Sequence, residues 1–279
     1  MHYGFVLPGG TAKEQLDQAV VADRAGWDGV FVWEAAYGVD AWTLLATMAQ
    51  CTTRVRLGTM LTPLPWRRPW KVASQALTLD QLSEGRAVLA VGLGAVDPAL
   101  GSTGEETDRR IRAERLDEGI DLITGLWGGE RHFTGRHYQV EFPPGAPWGG
   151  FTTPVQRPRI PIWVVGAWPR PRSMGRVLRC DGLLPVCMGS DGFRPTTPED
   201  IVAMRAWLQD NGGTRPGFDV VMEGSTPADD ADGAAETVRQ WEDAGCTWWL
   251  ESRWESAGGD EQRTGEVRRR LEAGPPQRS

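Results

Sequence analysis

Four arginines follow one apolar, strand-like run, and this placement suits the binding of an anion. The run from Ile160 to Val165 stops at Gly166, and arginines then occur at positions 170, 172, 176 and 179. Glycine at the end of a strand permits close backbone approach, and the start of the next helix offers free N–H groups. Arg170, Arg172 and Ser173 could add side-chain donors. The segment is therefore a candidate phosphate site, although a solvated helix start would have a similar composition.

Two further motifs give weaker signals. Gly92 and Gly94 follow another strand-like run, but the third glycine of G-x-G-x-x-G is missing, so a dinucleotide-binding fold is not supported. This backbone could still pack closely against something flat. Residues 66–71 (WRRPWK) mix aromatic and basic side chains, as single-strand nucleic-acid sites do. One short cluster does not make such a site, and Pro69 reads as the first residue of a helix.

Composition argues against several classes of partner. The chain has 30 basic and 37 acidic residues, a net charge of −7 and a pI near 5.2, so neither nucleic acid nor an anionic membrane is an expected partner. The four cysteines form no C-x-x-C pair and the histidines have no third ligand at suitable spacing, so we expect no disulfide framework and no metal site. No apolar run approaches the 18 or so residues of a membrane span. A reducing, cytoplasmic setting fits best.

Strand-like and helix-like runs alternate eight times along the chain. The strand candidates are 2–7, 29–33, 55–61, 87–93, 160–165, 182–186, 218–222 and 247–251, and the helix candidates are 12–25, 41–51, 70–82, 108–126, 172–179, 198–210, 232–244 and 262–271. Runs apolar on both faces are typical of a parallel sheet covered by helices. We therefore predict one α/β domain over residues 1–279, a (β/α)8 TIM barrel, with an open doubly wound sheet as the alternative. In such barrels the active site lies at the carboxyl ends of the strands.

Residues 128–159 interrupt this alternation. A hairpin-like stretch from Arg131 to Phe142 precedes a loop rich in proline and glycine. Ordered loops of that length are often functional, so we expect an insertion or lid between the fourth helix and the fifth strand. Residues 274–279 read as a flexible tail.

Several motifs, in order and at matching spacing, resemble one family. They are DAWTLLA at 40–46, TTRVRLGTMLTP at 52–63, LDQLSEGR at 79–86, GLG at 92–94, PVQRPRIPIW at 154–163 and CDG at 180–182. Together they resemble the bacterial luciferase-like family of flavin- and deazaflavin-dependent oxidoreductases over roughly residues 1 to 190.

The resemblance implies a TIM barrel that holds F420 or FMN at its carboxyl-terminal mouth, with F420 favoured. It implies a homodimer, and a cis peptide bond at Thr59-Met60 beside the cofactor ring. It assigns the phosphate to the segment after strand five. The cofactor-binding residues it implies are Thr59, Met60, Gly92, Gly94, Gly166, Ala167, Arg170, Arg172 and Ser173.

Two departures from the family pattern bear on the reaction. This chain has Glu34-Ala35 where F420-dependent dehydrogenases of the family commonly have Asp-His, and Ala95 where some have glutamate. The departures favour reduction of an activated double bond, or oxygenation, over alcohol oxidation. A small organic molecule is the expected substrate, and Glu34 is the catalytic acid/base candidate. The alternatives are a barrel that binds a flavin-like ligand without catalysis, and a sugar-phosphate isomerase or aldolase, which would lack a suitable lysine.

Overall fold

Eight parallel strands close into a barrel in the computed structural model, which describes residues 1–95, 103–143, 153–254 and 261–276. The strands of the chain are β1 (His2–Leu7), β2 (Gly29–Val32), β3 (Arg56–Thr59), β4 (Thr62–Pro63), β5 (Ala87–Gly92), β6 (His132–Thr134), β7 (Gln139–Glu141), β8 (Ile162–Trp168), β9 (Gly182–Gly189), β10 (Gly192–Arg194), β11 (Asp219–Gly224) and β12 (Trp248–Ser252). The barrel runs in the order β1, β2, β3, β5, β8, β9, β11, β12 and closes where β12 pairs with β1. The predicted TIM barrel is confirmed, and the open-sheet alternative is wrong.

Helices follow the barrel strands and cover them. They are α1 (Ala12–Ala25), α2 (Ala41–Cys51), α3 (Pro69–Leu82), α4 (Arg109–Trp127), α5 (Pro171–Val177), α6 (Pro198–Asp210), α7 (Ala231–Ala244) and α8 (Glu261–Glu272). Thr11 caps α1 in a capping box with Glu14, and Pro69 occupies the first turn of α3. Gly26 and Gly245 end α1 and α7 in the left-handed conformation, where glycine carries no Cβ penalty.

The core has two layers, as the alternation of side chains along each strand requires. One layer fills the barrel with Val6, Phe31, Val88, Ala90, Trp163, Leu184, Val221, Trp248 and Leu250. The other lies between the strands and the helices. Glycines make room for the large rings inside: a Cβ on Gly182 would lie 2.3 Å from Cδ1 of Trp163, and one on Gly29 would lie 3.1 Å from the Trp248 ring.

The stretch between α4 and β8 contains the predicted hairpin. Strands β6 and β7 pair antiparallel, and Glu118 on α4 accepts the backbone N–H groups of Arg136, His137 and Tyr138 at 2.8 to 3.1 Å. Residues 144–152 of the predicted lid lie outside the described residues. Glu114 on α4 also contacts Arg136 at 3.0 Å and His137 Nε2 at 2.9 Å, so two carboxylates of α4 hold the hairpin.

The start of the predicted tail is packed. Gly274 and Pro276 are buried, and the Gly274 carbonyl accepts a hydrogen bond from Arg270 at 2.7 Å. Residues 277–279 lie outside the described part. Among the helices that the structure describes, none is long and apolar enough to cross a membrane.

Candidate active site at the carboxyl end of the barrel

The predicted site residues share one arc of the barrel rim. Glu34 follows β2, Thr59 ends β3, Gly92 ends β5, and Gly166 and Ala167 lie late in β8. These four strands are neighbours in the barrel, so their carboxyl ends meet at the same end of it. The sequence reasoning thus selected a set of residues that the fold brings together.

Glu34 is the centre of a buried polar network. Its side chain is only 5% exposed, and its carboxylate forms an ion pair with Arg67. The other carboxylate oxygen accepts from Thr62 Oγ1 at 2.5 Å and from Trp42 Nε1 at 3.2 Å. Burial raises the pKa of Glu34, against the opposing effects of Arg67 and of these hydrogen bonds. Both oxygens are engaged, so the carboxylate acts on its protein neighbours rather than on the open mouth.

Thr59 extends this network inward. Its hydroxyl is fully buried, lies 2.8 Å from Thr62 Oγ1, and is 3.4 Å from the Ala90 carbonyl. Arg67 also donates to Gln75 Oε1 at 2.9 Å. The chain of contacts therefore links the ends of β2, β3 and β5 to α3.

The non-proline cis peptide lies one residue later than predicted. The sequence placed it at Thr59-Met60, but the structure has it at Met60-Leu61. Backbone pairing explains the shift: the Met60 N–H still donates to the Val32 carbonyl at 2.8 Å, so β3 keeps its register with β2 through that group. Met60 and Leu61 both pack against the inner layer of the barrel.

The glycine loop after β5 packs on an indole ring. Gly94 has a positive φ of 78°, and a Cβ there would lie 2.6 Å from the ring of Trp66. Arg112 on α4 donates to the carbonyls of Leu93 and Gly94 at 3.0 and 3.1 Å, and its guanidinium carbon lies 5.6 Å from the Trp66 ring centroid. The flat object next to Gly94 is thus a protein side chain. A Cβ on Gly92 would instead meet Leu61 and Val165 at 3.0 Å, on the inner face of the barrel.

Gly166 serves helix packing in this structure. A Cβ there would lie 2.4 Å from Leu183 and 3.0 to 3.1 Å from Val177 and Met174, so it faces α5 and the neighbouring strand. Ser173 closes the same turn, because its hydroxyl accepts from the Ala167 N–H at 2.9 Å. The close approach predicted at this glycine is made by the protein itself.

The four arginines of the opening segment divide into two pairs. Arg176 and Arg179 bind Asp117 on α4, and Arg179 also binds Asp121. Arg170 and Arg172 are exposed, and neither side chain has a hydrogen bond or ion pair with another described residue. Of the four, only Arg170 and Arg172 are therefore available to an anion at the rim.

Glu223 belongs to the mouth and was missed by the sequence reasoning. It lies two residues after Val221, whose side chain points into the barrel, so Glu223 points inward one layer closer to the rim. Trp254 Nε1 donates to its Oε1 at 2.5 Å. Burial raises the pKa of Glu223. Within the described part of the chain no cation lies within ion-pair distance of it, so no ion pair opposes this effect of burial.

The mouth also presents aromatic surface. Trp33 and Trp254 are 52% and 39% exposed; Trp33 directly follows β2, and Trp254 lies two residues after the end of β12. The described residues contain no group of three or more His, Cys, Asp or Glu side chains that could hold a metal ion. The rim thus combines apolar rings, the carboxyl groups of Glu34 and Glu223, and two arginines that pair with no other described residue.

Comparison with known proteins identifies the family. The family model described as luciferase-like monooxygenase matches residues 2–270. This chain belongs to the luciferase-like monooxygenase family. The resemblance seen in the motifs is thereby confirmed, and it extends beyond the first 190 residues.

Members of the luciferase-like monooxygenase family with curated names include two bacterial relatives. A provisionally named coenzyme F420-dependent oxidoreductase of Mycobacterium tuberculosis is 34% identical over 214 residues, covering 74% of this chain and 57% of the relative. An F420-dependent glucose-6-phosphate dehydrogenase of Kineococcus radiotolerans is 32% identical over 241 residues, covering 81% of this chain and 67% of the relative. The chain therefore spans between 57% and 67% of the length of these two proteins.

A solved structure shares the whole fold. The F420-dependent secondary alcohol dehydrogenase in complex with an F420-acetone adduct superposes with a TM-score of 0.73 at 17% identity, over 97% of each chain. At that identity the match shows the common barrel, and it assigns no activity to this chain.

Proposed function

We propose that this protein is a reductase that uses F420, or alternatively FMN, to reduce an activated C=C or C=N bond of a small organic substrate. The observation that carries the proposal is Glu223, an uncompensated, inward-pointing carboxyl group at the rim where the family's cofactor is expected. Reduction of such a bond needs a hydride and a proton. Hydride is what a deazaflavin or flavin supplies when bound, and the protein must supply the proton.

The residues present fit such a cofactor. Arg170 and Arg172 are exposed cations with no partner among the described residues, and both FMN and F420 carry phosphate, which suits charge-assisted hydrogen bonds. Met60 and Leu61 offer apolar surface that suits a flat ring. We propose that six further residues support the cofactor site indirectly, because their contacts in this structure hold the surrounding backbone in place. They are Thr59, Gly92, Gly94, Gly166, Ala167 and Ser173. F420 is favoured because both curated relatives described above carry its name.

Glu223 is proposed as the proton donor. Its raised pKa keeps the carboxyl protonated to a higher pH than an exposed glutamate, and a protonated carboxyl has one O–H to give. The Trp254 indole fixes one oxygen by a 2.5 Å hydrogen bond, which leaves the second oxygen to face the substrate. The resulting carboxylate would be reprotonated from solvent at the mouth.

Glu34 is proposed as a positioning residue rather than as the acid. Its carboxylate is held by Arg67, Thr62 and Trp42, so it acts on the substrate only through those groups. Thr62 lies just after the Met60-Leu61 segment, and Arg67 leads into α3. Loss of Glu34 should therefore disturb the shape of the rim.

The experiment begins with cofactor titrations. Purified apoprotein is titrated with F420 and with FMN while cofactor fluorescence is followed, and the preferred cofactor is then reduced. The reduced complex is mixed without oxygen with a panel of unsaturated ketones, aldehydes and imines, and cofactor absorbance is recorded. Rapid reoxidation with formation of the saturated product supports the proposal. Reoxidation that requires oxygen and inserts it into the substrate would establish a monooxygenase, and binding without turnover would establish a carrier.

We also propose that the protein is a cytoplasmic homodimer that acts on a small molecule. The homodimer that the family resemblance implies is supported by exposed apolar side chains such as Tyr37 and Trp33, which a subunit interface would cover. Free thiols at Cys180, Cys187 and Cys246, all buried, suit a reducing compartment. Light scattering at micromolar concentration tests the dimer, and a mass of about 31 kDa, that of one chain, would contradict it.

A further inference from the structure

A second cavity lies at the opposite, amino-terminal end of the barrel. It encloses about 500 Å³. Its walls include the first residues of several barrel strands, among them His2, Arg56, Asp219 and Trp248, and the segment 156–161 that leads into β8. The candidate active site is at the other end of the same strands. Ligand cavities in proteins usually measure roughly 300 to 1,000 Å³, so this one is large enough for a small metabolite.

The Trp248 ring closes the inner end of the cavity, where it is 1% exposed and the centroid of the His2 ring lies 4.9 Å from its own. Trp248 Nε1 donates to Asp219 Oδ1 at 3.0 Å, and Trp163 Nε1 donates to Asp219 Oδ2 at 3.0 Å. Thr247 Oγ1 adds a third hydrogen bond to the same carboxylate at 3.0 Å. These contacts fix the inner wall of the cavity without the help of a ligand. A preorganised wall lowers the cost of binding.

The charge on the walls of this cavity is not balanced. The Arg56 guanidinium carbon lies 5.9 Å from the Trp248 ring centroid, and no carboxylate of the described residues lies within ion-pair distance of it. Arg157 is exposed, and among the described residues its guanidinium donates only to the Thr153 hydroxyl, at 3.1 Å. Arg159 differs from both, because Asp181 pairs with it at 2.9 Å. Two arginines are therefore left to a ligand.

Asp219 and Arg56 are not within ion-pair distance of each other. The two carboxylate oxygens of Asp219 instead accept three hydrogen bonds, from Trp163, Trp248 and Thr247. Burial raises the pKa of Asp219, and Arg56 lowers it only in part. Near neutral pH a cation in a partly desolvated pocket favours an incoming anion. Phe218, Pro161 and Pro216 provide apolar surface beside the arginines.

We propose that this cavity is a second ligand site, which takes a small organic anion with an apolar body and a carboxylate or phosphate group. Arg56 and Arg157 would bind the anionic group, and Phe218 with Pro161 and Pro216 would contact the apolar body. The proposal concerns this end of the barrel alone, and it stands whether or not the proposed reductase activity is correct.

The test uses the full chain and three defined probes. Isothermal titration measures the binding of 2-naphthoate, 2-naphthyl phosphate and the neutral 2-naphthamide, with inorganic phosphate as the anion alone. We expect one site per chain for the two naphthyl anions and at least tenfold weaker binding of the amide. The preference between carboxylate and phosphate then identifies the chemical source of the anion. Equal binding of the amide would overturn the role of the arginines.

Variants locate the site. Arg56→Gln should weaken binding of the preferred anion roughly ten- to hundredfold, the usual effect of losing a charge-assisted contact. Arg157→Gln should act in the same direction, which keeps the test valid if Arg56→Gln folds poorly. Arg54→Ala is the matched control, because Arg54 is exposed two residues away and does not line the cavity. Wild-type affinity in both cavity variants, or loss of binding in Arg172→Ala instead, would place the anion elsewhere and refute the proposal.

Discussion

Arg67 donates from the start of the α3 segment to the carboxylate of Glu34 at the end of β2, and the two residues form an ion pair inside the barrel rim. Glu34 is almost completely buried, whereas 27% of the Arg67 side chain is exposed. The pair therefore joins two segments that are 33 residues apart in sequence, and it does so beside the cis peptide of the rim.

The first prediction concerns this pair. Glu34→Gln keeps the size of the side chain but removes the charge that Arg67 meets, so the free energy of unfolding should fall by roughly 1 to 3 kcal/mol. The loss stays below that of a fully buried pair because water reaches Arg67. Urea unfolding of the variant measures it. If Glu34 instead served as the proton donor, Glu34→Gln would show a changed pH profile of turnover with unchanged stability.

The second prediction concerns Glu223 and pH. If its protonated form donates the proton, turnover should fall as the pH rises through its raised pKa, and Glu223→Gln should lack that limb and be slower by about 10²- to 10⁴-fold. Stopped-flow reduction across a pH series tests both. An unchanged rate in Glu223→Gln would exclude the assignment.

The raised pKa of Glu223 also predicts how the stability of the protein changes with pH. A carboxyl whose pKa is raised on folding contributes stability below its ordinary value of 4.5, and this contribution is lost as the pH rises through the raised value. Glu223→Gln should therefore gain stability relative to wild type as the pH increases from 4.5 toward neutrality. Thermal unfolding of both proteins across that range measures the difference. A constant difference would mean that the folded and unfolded pKa values are equal.

The third prediction concerns the rim arginines. Arg172→Ala should weaken cofactor binding about ten- to hundredfold while turnover at saturating cofactor changes little, because a phosphate contact is equally strong before and during hydride transfer. Fluorescence titration at two salt concentrations is the measurement, and the difference should shrink at high salt. Arg179→Ala is the control, since Arg179 is bound to Asp117 and Asp121. Equal losses in both variants would show an effect of helix packing.

The barrel could be predicted from the sequence, because the apolar periods of strands and helices and the glycines that cap helices depend on residues that are close together in the chain. Gly26 and Gly245 illustrate this, since both end a helix in the left-handed conformation, which glycine adopts without a Cβ penalty. Contacts between distant segments could not be read in the same way. The partners of Arg176 and Arg179 lie more than 55 residues earlier, on α4, and nothing near the arginines indicates them.

Glu223 shows what a longer strand assignment would have found. The sequence prediction ended the seventh barrel strand at Met222, but β11 continues to Gly224. Alternation from the inward Val221 places the side chain of Glu223 inside the mouth. A polar residue at the end of an apolar strand is therefore a signal that boundary errors of one or two residues can hide.

The last prediction concerns the packing of the barrel wall. A methyl group on Gly58 would lie 2.4 Å from the Val88 carbonyl oxygen and 3.3 Å from the Phe31 ring. The carbonyl belongs to the backbone of β5 and cannot move without disturbing the strand pairing, so Gly58→Ala should destabilise the protein by roughly 2 to 3 kcal/mol. Gly175→Ala is the matched control. Gly175 lies in α5 with no atom within 4 Å of its Cβ position, and alanine favours the helix, so this variant should be neutral or slightly more stable. Urea unfolding of both variants gives the comparison, and a Gly58→Ala protein as stable as Gly175→Ala would mean that β3 and β5 can move apart at no cost.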